Sequence, residues 1–560
     1  MPTARGSEMT THKKRVARGV AYMAAAATIN AAPLFAQDME PQYGGELIYA
    51  QSGEKFSLFP GRNTDNGAQD IWLNACENLF EINEDSELVP VLAESWEVSD
   101  DEKTVTIKLR EGVAFHDGTP FNGEAVAFVF NEAKEKEFIY MSLLEGFDYA
   151  DAPSENEVAF HLAAPFAALL PNLAYKPLCI FSPTAYQEMG EEGMATKIVG
   201  TGPFTHEEYV KGEYNLFVKN ENYWQDELPY LDSIRMLVVP DPATRTAMLE
   251  SGEIDRTVQI SDFDLPRLEA NPELTVRTMA STRQFYVVLN HMKAPFDNQD
   301  VRLALNYAID KAGIVQSVFA GTGATVPMAP TLSPGVYGYT DMRKDGEDSI
   351  FQYDADKARS MLTDAGFEDR NGDGTIEGED GTELSFKLWT RRGGTKGDYQ
   401  VAQLLQAFLG EIGIGIDLEV MEGAAFSAAV SQPPEDAKYE MALLSWGIPT
   451  ADPDEPMMYF THTKAWKPKG ANRMFFSSSE IDRLADLAHT TTDQEKRKEY
   501  VVAWMAQLLE EAPVIYLPTI HLTLGSRSYV HGDRILATDN YPAVSAWIDQ
   551  EEKARQGIKR

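Results

Sequence analysis

The 560-residue sequence contains few cysteines and few basic residues, and both shortages narrow the range of possible functions. Two cysteines allow at most one disulfide, so a fold held together by a disulfide framework is excluded. The 49 Lys and Arg stand against 87 Asp and Glu, a formal net charge of −38. Nucleic-acid binding needs a basic face that displaces counterions, and an anionic membrane surface repels an acidic chain. The charge therefore argues against nucleic-acid and membrane partners.

Sequence motifs for common catalytic chemistry are also missing. There is no GxxxxGK[ST] phosphate loop, no HExxH zinc motif and no GxSxG nucleophile elbow. The nine histidines are scattered without metal-ligand spacing. We therefore predict no enzymatic activity and no cofactor.

The N-terminus is typical of an export signal. Basic residues between positions 13 and 18 precede a run of small and apolar residues, 19–36, and a small residue, Ala36, precedes Gln37. A membrane anchor is disfavoured because Asn30 and Pro33 interrupt the run, whereas a spanning helix needs about 20 strongly apolar residues. We predict a signal peptide over residues 1–36, cleaved near Ala36, and an exported protein.

The apolar patterning predicts strands that alternate with helices, which indicates an α/β fold. In the first third, a strand within 87–110, marked by the alternation of Val105, Ile107 and Leu109, and a strand at 157–162 flank a helix that Asn122 caps. Further along, three helices are predicted to begin at Asn298, Asp354 and Asp493, and three strands at 284–290, 384–390 and 514–517. With 27 Phe, 23 Tyr and 8 Trp, the chain has apolar material for several cores.

One loop has oxygen-bearing side chains at the alternating positions that Ca²⁺ requires. The candidate ligands are Asp369, Asn371, Asp373, Thr375 and Asp380, arranged around Gly374. The last position carries Asp instead of the longer Glu, and a strand is predicted to follow where an EF-hand would have a helix. A polar turn rich in Asn, Asp and Gly explains the same residues, and we favour that interpretation over a metal site.

Several segments, found together and in one order, resemble the extracytoplasmic solute-binding proteins of the peptide/nickel family (family 5), which feed ABC importers. They span most of the chain after residue 36: LVPVLAESWEVSDDEKTVTIKLREGVAFHDGTPFNGEAVAF (88–128), GTGPF (200–204), NENYWQDELPYLDSIRMLVVPDPATRTAMLESGEIDR (220–256), FYVVLNHMKAPFDNQDVRLALNYAIDK (285–311), YDADKARSMLTDAGF (353–367), SWGIPTADPD (445–454) and APVIYLP (512–518).

The resemblance implies a two-lobed periplasmic-binding-protein fold with a hinged cleft and an additional small α/β domain on the first lobe. The chain would cross between lobes near residues 281–290 and 512–518. The expected boundaries are 37–77, 201–282 and 516–560 for lobe I, 78–200 for the extra domain, and 283–515 for lobe II. Cys76 and Cys179 could pair in an oxidising compartment, but the sequence leaves open whether they meet.

In peptide binders of this family, a cleft Trp is followed three residues later by an Asp that takes the peptide's amino group. Trp446 matches the Trp, but Pro449 stands at the position of the Asp. Asp452 is a candidate substitute, although its DPD context also fits a turn with a helix cap. The full set of predicted ligand-binding residues is Trp446, Trp389, Arg391, Arg392, Asp452 and Asn290.

The resemblance implies a periplasmic monomer that delivers peptides or peptide-like solutes to an ABC permease driven by a separate ATPase. Nickel chelates, opines and oligosaccharides remain alternative ligands, because Pro449 departs from the peptide-binding pattern. Two hypotheses from other functional classes also stay open: a secreted hydrolase on the same scaffold, and a secreted interaction protein stabilised by Ca²⁺ at 369–380.

Overall fold

The computed structural model describes residues 39–52, 57–63 and 66–558. The predicted signal peptide, residues 1–36, lies outside this part of the chain and stays a prediction. Within it, no helix is both long enough and apolar enough to cross a membrane.

The strands, in chain order, are β1 (Glu46–Gln51), β2 (Phe80–Ile82), β3 (Leu88–Pro90), β4 (Ala93–Val98), β5 (Thr104–Leu109), β6 (Phe147–Ser154), β7 (Glu157–Leu162), β8 (Phe204–Val210), β9 (Tyr214–Lys219), β10 (Ser233–Val238), β11 (Arg256–Val258), β12 (Leu274–Leu289), β13 (Ala324–Thr325), β14 (Ser385–Arg391), β15 (Gly415–Met421), β16 (Met441–Trp446), β17 (Val514–Arg527), β18 (Val530–His531) and β19 (Trp547–Ile548).

The α-helices are α1 (Asn66–Ala75), α2 (Gly123–Glu135), α3 (Leu169–Asn172), α4 (Pro183–Met194), α5 (Pro242–Ser251), α6 (Leu265–Glu269), α7 (Gln299–Tyr307), α8 (Lys311–Val318), α9 (Ala355–Asp364), α10 (Asp398–Glu411), α11 (Gly423–Ala429), α12 (Ser479–Thr490), α13 (Gln494–Glu511) and α14 (Gln550–Arg555).

The longest strands, β12 and β17, join two halves of one large sheet. The strand order is β15-β14-β16-β12-β17-β11-β1-β10-β9-β8, with β13 beside β17. β12 and β17 pair antiparallel from Leu274 opposite Arg527 to Val288 opposite Val514, and the register shifts between Ala280 and Tyr286. The crossings expected from the resemblance, near residues 281–290 and 512–518, overlap these two strands, and both strands are longer than their predicted cores at 284–290 and 514–517. They are longer because each continues from one half of the sheet into the other.

A separate four-stranded sheet, in the order β4-β5-β7-β6, forms the predicted small α/β unit together with α2. Alternate residues of β5 and β7 are buried, and the inner face packs on α2 in a core that includes Ile107, Val126, Phe130 and Phe160. A disulfide joins Cys76, just after α1, to Cys179 beside this unit, with the two Cα atoms 5.7 Å apart. The disulfide therefore joins the two ends of the segment that contains residues 78–178.

The predicted helix starts are confirmed. Asn122 accepts a hydrogen bond from the backbone N–H of Ala125 at 2.9 Å. Asn298, Asp354 and Asp493 likewise cap α7, α9 and α13 with their side chains. An Asn or Asp at this position satisfies N–H groups that have no partner inside the helix, which is why a local sequence pattern suffices to find it.

Candidate ligand-binding cleft

A cavity of about 430 Å³ lies where the two halves of the chain meet at the crossing strands. One wall comes from the residues that precede and accompany the four-stranded unit: Gln69, Ile139, Tyr140, Ser142, Leu143 and Tyr175. The opposite wall comes from the segment after β16, including Trp446, Gly447, Pro449, Glu455 and Tyr459. Thr282, Arg283, Thr538 and Asp539 line it beside the crossing strands.

Arg283 places a positive charge in this cavity. Its Nη2 lies 3.7 Å from Oδ2 of Asp539, an ion pair too long for a hydrogen bond. The guanidinium donates no hydrogen bond to another described side chain, and a quarter of its surface is exposed. A Cβ at Gly447 would lie 3.2 Å from Arg283 Nη2, so the glycine leaves room for the side chain. An Arg so placed can clamp a carboxylate with two parallel hydrogen bonds.

Thr282 fixes the backbone next to Arg283. Its N–H donates to the carbonyl of Ala537 at 3.0 Å, and its hydroxyl accepts from the N–H of Ile448 at 3.0 Å. Asp539 stands at the tip of a tight turn with φ 67°. The crossing strand thus holds a loop from each half of the chain beside the cavity.

Trp446 ends β16 opposite Gln284 on the crossing strand and lines the cavity as the sequence analysis expected. Its ring lies against Tyr459 and Phe460, with centroids 6.2 and 5.9 Å away. Its Nε1 is buried and lies close enough to the Glu455 carboxyl to lower the pKa of that group.

Glu455 is an acidic group on the same wall. It begins a short π-helical segment, Glu455–Thr461, and its Oε2 is buried without a hydrogen-bond partner in the described part of the chain. Burial raises the pKa of Glu455 to about 8, against smaller opposing effects of Trp446 and Arg283. At neutral pH this carboxyl is therefore mostly protonated in the ligand-free cleft.

Asp452, the predicted substitute for the missing Asp, is engaged elsewhere. Its two carboxylate oxygens each accept a hydrogen bond from Arg497 at 2.6 Å, and both side chains are almost fully buried. Burial alone would lower the pKa of Arg497, but the Asp452 carboxylate outweighs it and holds that pKa above its usual range. The structure places Asp452 behind the cleft wall, as an anchor for the loop that carries Glu455.

The structure places the remaining predicted site residues outside the cavity lining. Trp389 is buried in a core beside Tyr439. The guanidinium groups of Arg391 and Arg392 lie over the rings of Phe426 and Tyr399, at 5.5 and 3.9 Å. The Asn290 amide donates to the carbonyl of Tyr439 at 3.0 Å and supports the end of β12.

In the 369–380 loop, the polar side chains bond to the loop's own backbone. Asp369 accepts from the N–H groups of Gly372 at 2.7 Å and Gly374 at 3.0 Å, and Asp373 accepts from Thr375 at 2.8 Å. Over the described residues, no group of three or more His, Cys, Asp or Glu side chains is placed to hold a metal ion.

Sequence reasoning did not identify Arg283, Asp539 and Glu455. Arg283 immediately precedes the apolar stretch 284–290 within β12, and an isolated charge next to such a stretch is the signal that could have identified it. Glu455 follows Asp452 and Asp454 in an acidic run whose local pattern is typical of a turn, so the sequence does not distinguish it from its neighbours. Asp539 gives no sequence signal, since its place depends on a partner 256 positions earlier in the chain.

Comparison with known proteins identifies the class. Residues 87–468 match the sequence profile of the bacterial extracellular solute-binding proteins, family 5. The glutathione-binding protein GsiB of Escherichia coli O1:K1 is 30% identical over 477 residues, which cover 84% of this chain and 88% of the relative. GsiB of Pectobacterium atrosepticum is 29% identical over 493 residues, with 87% and 91% covered.

Solved structures agree in fold. The periplasmic binding protein DppA of Helicobacter pylori, in complex with the peptide STSA, superposes with a TM-score of 0.75 at 24% identity, over 91% of this chain and 99% of the other. NikA of Brucella suis, in complex with Fe(III)-EDTA, gives 0.77 at 24% identity, over 89% and 98%. The architecture is therefore that of a two-lobed binding protein, and the chain belongs to the family 5 extracellular solute-binding proteins. The predicted fold class and family are confirmed.

Proposed function

We propose that this protein captures short peptide-like solutes in the periplasm, after removal of residues 1–36, and delivers them to an ABC permease. It would act as a monomer, by binding and without chemical change of the ligand. The observation that carries the proposal is a cavity of about 430 Å³ with a guanidinium at Arg283 and a buried carboxyl at Glu455.

The polarity of the cavity favours a ligand with a carboxylate. Arg283 offers several N–H groups that no described side chain accepts, and its ion-pair partner Asp539 is 3.7 Å away. A ligand carboxylate would give Arg283 charge-assisted hydrogen bonds that this long ion pair does not supply. A neutral sugar would offer Arg283 no charge-assisted hydrogen bond, which favours a peptide ligand over the oligosaccharide alternative.

The volume favours a short ligand. Small-molecule cavities span roughly 300–1,000 Å³, and this one lies in the lower part of that range. An extended peptide adds roughly 3.3–3.6 Å of length per residue, so a few residues fill the space. The E. coli and P. atrosepticum relatives are named for glutathione, a tripeptide with two free carboxylates and one amino group. We therefore rank glutathione and other tripeptides first among the ligands.

Delivery depends on closure of the two lobes over the ligand. Walls from both halves of the chain line the cavity, so a bound solute contacts both and favours the closed arrangement. A permease can then distinguish the loaded form from the open one. The energy for import would come from a separate ATPase, consistent with the missing phosphate-loop motif.

The test is isothermal titration of the purified protein with glutathione, trialanine, an opine, nickel with histidine, and cellotriose. We expect the tripeptides to bind and to be recovered intact by mass spectrometry. C-terminal amidation of trialanine should weaken binding by roughly 10–100-fold, because a charge-assisted pair is lost. Arg283→Gln should cause a similar loss for trialanine and make amidation nearly neutral.

Arg483→Gln is the matched control, since Arg483 is exposed on α12 and, among the described residues, forms an ion pair only with Glu480. We expect it to bind trialanine as the wild type does. Binding of only the nickel complex, the opine or the sugar would contradict the proposal and support the corresponding alternative ligand. Conversion of a peptide to products would contradict the purely binding role.

A further inference from the structure

The four-stranded unit (residues 78–178) is fixed to the lobe that carries β1 and β8–β11, here called the first lobe. Cys76 and Cys179, on either side of the unit, share a disulfide and lie in the apolar core of that lobe. Arg534, which follows β18 in the same lobe, lies 2.9 Å from Glu81 in the unit. We therefore expect the unit to move with the first lobe when the cleft opens.

The same unit also touches the other lobe, which carries β14–β16 and is here called the second lobe. The loop between β7 and α3 meets the end of α12. The N–H of Ala167 donates to the carbonyl of His489 at 2.9 Å, and the ring centroids of Phe166 and His489 lie 4.9 Å apart. Phe166 is only 5% exposed although it lies in a loop, and the second lobe supplies part of that cover.

A loop of the second lobe packs against the unit in return. Ala451 belongs to the same apolar core cluster as Phe166. It is buried, and the N–H of Tyr337 donates to its carbonyl at 2.9 Å. Its φ of 51° is a left-handed conformation that residues other than glycine rarely adopt, so the surrounding contacts hold this loop in place. Together, Phe166, Ala167, His489 and Ala451 are here called the clasp.

The clasp is separate from both the ligand cavity and the hinge. None of its four residues is among those that line the described cavity, and none belongs to β12 or β17. Ala451 nevertheless lies two positions after Pro449 and four before Glu455, which both line the cavity. A ligand that draws the two cavity walls together therefore brings the clasp residues of the two lobes into contact as well.

We propose that the four-stranded unit holds the cleft closed through the clasp and so slows release of the ligand. This inference rests on the proposed function and gives the additional unit a role in it. Contacts made only in the closed form raise the closed fraction, and they change the apparent affinity for every ligand by the same factor. A contact with the ligand itself would instead change affinity by a factor that depends on the chemistry of the ligand.

The clasp should act on release and not on capture. The ligand enters while the cleft is open, before the clasp residues of the two lobes meet, so the association rate does not depend on them. Release requires the cleft to reopen, which separates Phe166 from His489 and Ala451 from the core of the unit. Because this exposes apolar surface to water, reopening is slower with the clasp than without it.

The experiment measures binding by stopped-flow fluorescence, with Trp446 in the cavity as a reporter. The probes are trialanine and glutathione, and the proteins are the wild type and Phe166→Ala. We expect Phe166→Ala to release both peptides roughly 5–50-fold faster, and by the same factor, because part of the burial of a Phe side chain is lost. The association rates should stay within about twofold of the wild type.

A second variant tests the clasp from the other lobe and leaves the sequence of the unit unchanged. Ala451→Asp introduces a charge that is buried against the unit only in the closed form, and Asp tolerates the left-handed backbone at this position. We expect it to speed release of both peptides, as Phe166→Ala does.

Tyr149→Ala is the matched control for Phe166→Ala. Tyr149 is 46% exposed on β6 of the same unit, where its ring stacks on His161. We expect it to release both peptides at the wild-type rate. Thermal unfolding without ligand checks that each variant is folded.

The outcomes separate this inference from the proposed function. Wild-type release rates in folded Phe166→Ala and Ala451→Asp would overturn the clasp and leave the proposed function standing. Faster release of only one peptide would also overturn the clasp, because it would place the effect on contacts with the ligand. A wild type that binds neither trialanine nor glutathione would overturn the proposed function, and the clasp with it.

Discussion

Asp452 and Arg497 form an ion pair whose two side chains are almost completely buried, and this environment makes each depend on the other. Removing one partner leaves a buried charge uncompensated, which typically costs about 3–5 kcal/mol. We therefore expect Asp452→Asn to lower the free energy of unfolding by about that amount, measured by urea denaturation. Asp452→Leu combined with Arg497→Met should recover much of the loss, because no buried charge remains.

The same variant decides between two roles for Asp452. As an anchor, Asp452 should affect stability first, and peptide affinity should fall only as far as the loop with Glu455 becomes disordered. A variant that keeps wild-type stability but no longer binds trialanine would instead place Asp452 in contact with the ligand. That result would support the role suggested by the sequence.

The acidic run also shows which residue-level features a sequence can reveal. Asn122 and Asp493 were identifiable as helix caps, because a cap acts on backbone groups two or three positions away. Asp452 was not identifiable as an anchor, because the residue that neutralises it lies 45 positions later in the chain. Tertiary contacts determine which of the neighbouring carboxylates forms the buried ion pair. The resemblance could therefore locate the cleft segment and Trp446 but not which of the acids lines the cavity.

At the scale of elements, the disulfide joins the two ends of the segment that contains the four-stranded unit. Cys76 and Cys179 are separated by 103 positions, and both lie in the core that also holds α1. A cross-link over so long a loop restricts the unfolded chain, and its removal typically costs about 2–5 kcal/mol. We expect Cys76→Ser with Cys179→Ser to lower the free energy of unfolding in guanidinium by about this amount.

Reductant supplies the matched control for the disulfide. Dithiothreitol should destabilise the wild type to the level of the double variant and leave the double variant unchanged. Limited proteolysis should then cut first within residues 78–178, because only that segment gains freedom. Equal stability of reduced and oxidised wild type, with reduction verified by thiol counting, would contradict this account.

At the scale of the whole molecule, two kinds of contact connect the halves of the chain. Near the crossing strands, Lys396 lies 2.8 Å from the buried Asp262 and also donates to the carbonyl of His521 on β17. Away from those strands, the hydroxyl of Thr492 donates to Glu102 at 2.8 Å, and the N–H of Ala167 donates to the carbonyl of His489 at 2.9 Å. Opening about a hinge at β12 and β17 would preserve the first contact and break the others.

We therefore expect Lys396→Met to affect mainly stability and Thr492→Ala to affect mainly ligand affinity. Lys396→Met should lower stability with little change in trialanine affinity. Burial already raises the pKa of Asp262, and the variant removes the Lys396 charge that opposes this rise. The loss of unfolding free energy should therefore be small at pH 4 and grow as pH increases towards 7.5.

Thr492→Ala should leave the ligand-free stability nearly unchanged and weaken trialanine binding by about 2–10-fold, since it removes one hydrogen bond of the closed arrangement. Urea unfolding at both pH values and titration calorimetry measure the two effects. If Lys396→Met weakened binding while Thr492→Ala did not, the hinge would have to lie elsewhere than at the crossing strands.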